Sequence, residues 1–292
     1  MGNSNVFQLL NKTKRKWPYD LDRIKMQFHL LESQDWEKID KYFIISTGRT
    51  GTKFFAKFLN QFGNVYATHE PSPDFLGLAI DYVRGEVSKK EVIKRIEQDR
   101  RALCKDIKRK QANVYVESNN RLFSLIDPLR DVFNDYKIIH IIRDGRDYVR
   151  SGMSREWYTK KDKYPRLKAT YFSNDLYYDK WDTMSRFEKI CWRWQKKDGF
   201  ILDSIKDDPN SITVKFEDIF KDDDYKGIYQ IAEYIGLPKS ETDKMIDKMM
   251  NRKVNSTSKH IIDKWSSWSQ DMVESFEEIA GEHMKKYYDY KW

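Results

Sequence analysis

Tyr42-Phe43-Ile44-Ile45-Ser46-Thr47-Gly48-Arg49-Thr50-Gly51-Thr52-Lys53 decides how this chain of 292 residues is read. Its first four residues form a continuous apolar run, the pattern of a strand covered on both faces of a sheet. Downstream, Phe55, Phe58, Leu59 and Phe62 recur at i, i+3, i+4 and i+7, one face of an amphipathic helix. The turn between them carries two glycines and aims several backbone N–H groups at one point. The helix start adds positive potential there, so the turn favours an anion. Arg49 and Lys53 bring cations to it, and Thr50 and Thr52 bring hydroxyls. The ATPase pattern G-x-x-x-x-G-K-[ST] is not met, because Gly48 and Gly51 lie too close and Lys53 follows no glycine. A tight turn that holds nothing is the plainer alternative for this segment taken alone.

Outward from this stretch the same alternation repeats. Val65-Tyr66-Ala67, Val114-Tyr115-Val116, Lys137 to Ile142 and Ile212 to Phe216 read as further strands, the fourth-strand run Ile138 to Ile142 being the most apolar and so mid-sheet. Helices are predicted over about Arg121 to Phe133, over Asp144 to Ser154, and along Phe187, Ile190, Cys191, Trp194, Ile201 and Ile205. Another is expected to be capped by Asp222-Asp223-Asp224 and to close at Gly236-Leu237-Pro238, while Glu86 to Lys110 reads as a charged helical stretch on the surface. Strands alternating with helices predict an α/β fold with a mostly parallel, doubly wound sheet. Its ligands bind at the carboxyl ends of the strands, where the quoted turn falls.

A second turn falls there too. Arg143-Asp144-Gly145-Arg146-Asp147-Tyr148-Val149-Arg150-Ser151 follows the mid-sheet strand directly. A guanidinium at the strand end and a hydroxyl two helical turns on grip one phosphate between them, unless Asp144 and Asp147 merely pair with Arg146 and Arg150.

Composition narrows the classes. Aromatic residues at 15% argue against disorder, and no window approaches ~18 consecutive apolar residues, so no membrane span is expected. Met1 to Trp17 lacks the apolar block of a secretory signal. Two cysteines, Cys104 and Cys191, make no disulfide framework and point to a reducing, cytoplasmic setting. The net charge of +8 permits a polyanion partner, but the basic residues are interspersed with acids. A nucleic-acid stripe is therefore not expected, and a small phosphate- or sulfate-bearing ligand is.

Taken together, the two turns resemble the signature pair of the sulfotransferases that use 3′-phosphoadenosine 5′-phosphosulfate (PAPS, giving the product PAP). Ser46 to Lys53 resembles the 5′-phosphosulfate loop, in the arginine form common to bacterial, Golgi and tyrosylprotein relatives, and Arg143 to Ser151 resembles the 3′-phosphate motif. Gly145 stands where many members have Pro. The Trp192/Trp194 helix, Thr213 to Asp218 and Trp265 to Ser269 match later blocks, so the likeness runs from about Tyr42 to Tyr290 and is weakest over Tyr158 to Trp181. It implies a P-loop-like three-layer α/β fold, a central mostly parallel sheet flanked by helices. Residues 1–40 then form an N-terminal extension packing on a single domain over 41–292, with 156–182 a probable acceptor-side insertion. By the same likeness Arg49, Thr50, Gly51, Thr52 and Lys53 hold the 5′-phosphosulfate, Arg143 and Ser151 the 3′-phosphate, and Lys259 contacts phosphate from a closing loop.

The implied chemistry is in-line sulfuryl transfer to a hydroxyl or amine, with no obligatory metal. Arg49, at the loop tip, stabilises the leaving oxygen. The base is Glu70, at the spacing from the loop arginine that tyrosylprotein sulfotransferases use, with His69 orienting it or the acceptor, or else serving as base itself. Glu117, Ser118 and Asn119 either face the cleft or tie down a loop. His29, His140, His260 and His283 lie too far apart in sequence for a metal motif, and His140 reads as a core histidine. The aromatics of Trp157 to Trp181 form an acceptor lid or a packed insertion. The acceptor is a small molecule, carbohydrate, lipid or peptide, with nothing to rank them and nothing on oligomeric state. The competing readings are an ATP-dependent small-molecule kinase and a non-catalytic polyanion-binding protein.

Overall fold

The computed structural model describes residues 36–250 and 261–288. Its frame is a five-stranded sheet of β1 (Asp40–Ser46), β2 (Val65–His69), β3 (Val114–Ser118), β4 (Tyr136–Ile142) and β5 (Ser211–Lys215), in the order β2-β3-β1-β4-β5. Every pairing is parallel. All five strands lie where the apolar runs predict them.

The strand period of two sorts β1 onto both faces. Phe43 and Ile45 point into one core, shared with Trp192, Trp194 and Phe276. Tyr42 and Ile44 point into the other, shared with Phe55, Phe58 and Leu59 of helix α1 (Thr52–Leu59). Two hydrophobic layers on one sheet make the three-layer α/β architecture, and they bring the carboxyl ends of β1, β2, β3 and β4 to one edge.

Between β2 and β3 run α2 (Leu76–Val83), α3 (Lys89–Arg101) and α4 (Cys104–Arg109). The charged stretch is helical as expected, in two helices, but it is not all surface: it sends Asp99 and Arg100 into the interior. The helix predicted from Arg121 begins instead as a short turn of 3₁₀ helix, Asn120–Leu122, before α5 (Ile126–Val132). Pro128 explains the delay, since proline fits only the first turn of a helix.

After β4 come α6 (Gly145–Met153) and the 20-residue α7 (Arg186–Ile205), then β5 and α8 (Phe216–Phe220), α9 (Lys226–Ile235) and α10 (Lys239–Met249). The cap of α9 is Tyr225, with φ 50°, rather than one of the aspartates; the Asp224 carboxylate accepts from Lys226 N at 3.2 Å. Gly236 closes that helix in the left-handed region as expected. The chain ends in α11 (Gln270–Phe276), a π-helical turn (Glu277–Gly281) and α12 (Glu282–Tyr287).

Segment 156–182 packs rather than stands free. Tyr158 Oη donates to the Leu167 carbonyl at 2.6 Å, Trp181 meets Trp192 at 5.0 Å between ring centroids, and Trp192 Nε1 donates to Asp175 at 3.0 Å. No helix of the described residues is long and apolar enough to cross a membrane.

Candidate active site

The loop after β1 is shaped by its own hydroxyls. Ser46 is fully buried, and its Oγ accepts from Gly48 N at 3.1 Å and from Thr50 Oγ1 at 2.7 Å. Gly48 (φ 101°) and Gly51 (φ 74°) take backbone conformations that favour glycine, and Arg49 between them is also left-handed at φ 62°. The turn so formed leads into α1, at whose N-terminus unpaired N–H groups gather.

The two motifs, 94 residues apart, meet directly. The Arg143 guanidinium donates to the Arg49 carbonyl, and Arg49 Nε donates to Ser151 Oγ at 2.8 Å. Burial, and then the nearby charges of Arg155 and Arg143, push the Arg49 guanidinium down to about 10. Burial also lowers Arg143, although Asp147, Glu217 and Asp144 pull in the opposite direction. Among the described residues no carboxylate pairs with Arg49, and Arg143 Nε is buried without a partner. The Arg143 guanidinium lies 4.3 Å from the centre of the Phe216 ring.

Glu70 leaves the end of β2 in the left-handed region, φ 46°. One carboxylate oxygen accepts from Asn120 Nδ2 and the other from Arg121 at 2.9 Å. Arg121 also pairs with Asp74. His69 does not hold Glu70. Its Nδ1 lies 3.2 Å from the Ser118 carbonyl, and its ring lines a groove of about 600 Å³ with Lys53, Lys57 and Met249. The residues that orient Glu70 are therefore Asn120 and Arg121, which sequence reasoning passed over by stopping at Asn119.

Beneath the loop, Lys197 of α7 is fully buried. Its ammonium donates to Thr47 O at 3.1 Å, to Asn120 O at 2.9 Å and to Asn120 Oδ1 at 3.3 Å. Burial pushes it well below the usual lysine range.

Glu117 faces away from the cleft and ties down a loop. It is fully buried, accepting from Arg100 Nε at 2.6 Å and Nη2 at 2.8 Å, and from Tyr115 Oη and Asn119 Nδ2. Arg100 also donates to the Pro73 carbonyl at 3.0 Å, which ties the segment after Glu70 to the interior. The fold brings together His140 and His283, remote in sequence: both face Asp198, at 3.2 and 2.8 Å. Among the described residues no group of three or more His, Cys, Asp or Glu is arranged to hold a metal ion. Lys259, the expected closing-loop contact, lies outside the described residues.

Gly145 answers to space. A Cβ there would meet the Trp194 ring at 2.7 Å, so α6 sits directly on α7 at this point.

Comparison with known proteins follows the same lines. The chain matches the sulfotransferase domain model over residues 39–289. The sulfotransferase STF9 from Mycobacterium avium superposes with a TM-score of 0.55 at 12% identity, covering 93% of this chain and 81% of its own. A mouse sulfotransferase, SULT7A1 complexed with PAP, gives 0.47 at 14% identity, over 84% and 85% of the two chains. An Alicyclobacillus acidocaldarius sulfotransferase gives 0.48 at 13%, over 84% and 92%. No curated protein matches the chain. The family model covers the whole sheet and both turns, and the chain belongs to the sulfotransferase domain family.

Proposed function

We propose that this sulfotransferase uses PAPS as donor and delivers the sulfuryl group to a hydroxyl or amine of its acceptor by in-line displacement. The observation that carries this reading is the meeting of Arg49 and Arg143: two guanidinium groups, desolvated and each lowered from its usual range, with no carboxylate paired to Arg49 among the described residues. An anion charged at both ends relieves both. The residues fit such a group. Arg49, Thr50, Gly51, Thr52 and Lys53 would hold a 5′-phosphosulfate, and Arg143 and Ser151 a 3′-phosphate. The Ser151 hydroxyl, while accepting from Arg49, keeps its own hydrogen for a phosphate oxygen.

Bound PAPS supplies an activated sulfuryl group, whose transfer builds negative charge on the bridging oxygen. Arg49 stabilises that charge, already desolvated and so needing little reorganisation. Glu70 takes the acceptor proton through a lone pair left free by Asn120 and Arg121. His69 faces the groove beside it and orients the acceptor. Lys259 completes the phosphate contacts in this reading, and no step calls on a metal.

We read 41–292 as one domain, with 156–182 an acceptor-side wall. Trp157 of that segment stands 5.7 Å from Tyr148 of α6, the helix that carries Ser151. The acceptor is a small molecule, carbohydrate, lipid headgroup or peptide. We place it in a cytoplasmic setting, with Cys104 and Cys191 both buried.

Thermal shift separates the donor classes. PAP at about 100 times its Kd adds ~2.7 kcal/mol of stability. We expect PAP to stabilise without added Mg²⁺, and ATP and GTP to have little effect. An equal response to all three would overturn the PAPS reading.

A further inference from the structure

Asn120 has no counterpart among the residues assigned above, yet it touches the loop, the buried lysine and the base. It opens the 3₁₀ turn after β3, and the Asn119 side chain fixes that turn by accepting from Arg121 N at 2.9 Å. Its side chain lies over Gly48, where a Cβ would meet Asn120 Oδ1 at 3.3 Å. The Lys197 ammonium donates to Asn120 O and Oδ1 and, from the same nitrogen, to Thr47 O of the loop.

The Glu70 carboxylate settles which way the amide faces. A carboxylate only accepts, so Asn120 must turn its NH₂ group to Glu70, where it donates to one carboxylate oxygen. The amide oxygen is left to accept from Lys197. Arg121, the next residue, donates to the other. A carboxylate held by two donors loses rotational freedom. The path from Thr47 through Lys197 and Asn120 to Glu70 joins the loop to the carboxylate by hydrogen bonds among buried or half-buried groups.

We infer that Asn120 is a positioning residue that holds the Glu70 carboxylate at a fixed place relative to the phosphosulfate loop. The inference rests on Glu70 being the base. The charged groups facing Glu70 are Arg121 from the 3₁₀ turn and Lys197 from α7, with Asp74 behind Arg121. Asn120→Asp keeps the shape of the side chain. It replaces the donor to Glu70 with a second carboxylate, which repels the first instead of holding it.

The test compares donor binding with transfer of label from radiolabelled PAPS to a mixed pool of phenol and sugar acceptors. In Asn120→Leu, which removes the amide donor without adding charge, PAP affinity should stay within about threefold of wild type, since no proposed phosphate ligand is touched. The transfer rate should fall about tenfold or more, because the carboxylate is no longer held in place. Asn120→Asp should act in the same direction, and serves if the leucine variant does not fold. Placed in a Glu70→Gln background, Asn120→Leu should cost less than about twofold further, because its effect runs through Glu70. Unchanged transfer in the folded single variants, or a full further loss on top of Glu70→Gln, overturns the inference. Full sulfuryl transfer by Glu70→Gln would instead remove Glu70 as the base, and the two failures are read from different experiments.

Discussion

The proposal of Glu70 as base depends on where its backbone puts it. The residue turns out of β2 at φ 46°, its N–H donates to the Ser118 carbonyl at 3.2 Å, and its carboxylate lands between Asn120 and Arg121. Glu70→Gln keeps the size and one acceptor oxygen but cannot take a proton. It should bind PAP as wild type does and lose about 10²- to 10⁴-fold in transfer rate, the usual weight of a general base. Isothermal titration with PAP and a radiolabelled-donor assay check the two halves separately. Should Glu70→Gln transfer normally while His69→Ala is inactive, the base is His69. Glu70 was legible from its spacing after Arg49 in the arginine-form loop. Its partners were not, because Asn120 and Arg121 reach it across 50 residues of chain, and only the pairing of β2 with β3 brings them close.

At the scale of elements, continuous apolar runs announced the interior strands β1, β3 and β4, because strands covered on both faces have no polar side to disguise them, while the edge strand β5 showed only as the alternation of Ile212, Val214 and Phe216. The helix between β3 and β4 was less legible. Its start depends on Asn119 and Pro128 together, and periodicity alone extends it too far. Polar residues at strand ends were ambiguous for a different reason: Glu117 looks like a cleft residue until Arg100 of α3 is seen beside it. That pair gives a stability prediction. Arg100→Met leaves a buried carboxylate unpaired and should cost about 3–5 kcal/mol in denaturant unfolding. A loss near zero would mean that Glu117 finds another partner. The loop–helix junction gives a second. Gly51 has φ 74°, and a Cβ there would meet the Phe220 ring at 2.6 Å. Gly51→Ala must therefore shift both the turn and α8, at about 1–3 kcal/mol, and should weaken PAP binding at least tenfold. Calorimetric titration of the folded variant is the check, and unchanged affinity would separate the shape of this turn from nucleotide binding.

Across the whole molecule, Asp198 joins parts of the chain that nothing local connects. It is fully buried on α7, accepting from His140 in the interior strand β4, from His283 on α12, and from Tyr288 Oη at 2.9 Å. A carboxylate cannot donate, so Nε2 of each imidazole carries the hydrogen. Burial alone would raise the Asp198 carboxyl, but the hydrogen bonds and charges of His140 and His283 outweigh it and hold the group well below the usual carboxylate range. A carboxyl lowered by folding adds stability above its unfolded value of about 3.9, and that stability drains away as acid protonates it. Wild-type protein should therefore lose stability as the pH falls from about 5 toward 3, loosening the terminal helix from the sheet. Asp198→Asn should be less stable at neutral pH by an amount on the order of 3–5 kcal/mol, because the triad loses its charge, yet show a shallower decline below pH 5. Urea unfolding of both proteins at half-unit pH steps decides the matter. Parallel curves for the two would mean that the acid sensitivity of this enzyme arises elsewhere, and that the terminal helix is held by the packing of Trp194 against Phe276 and His283 instead.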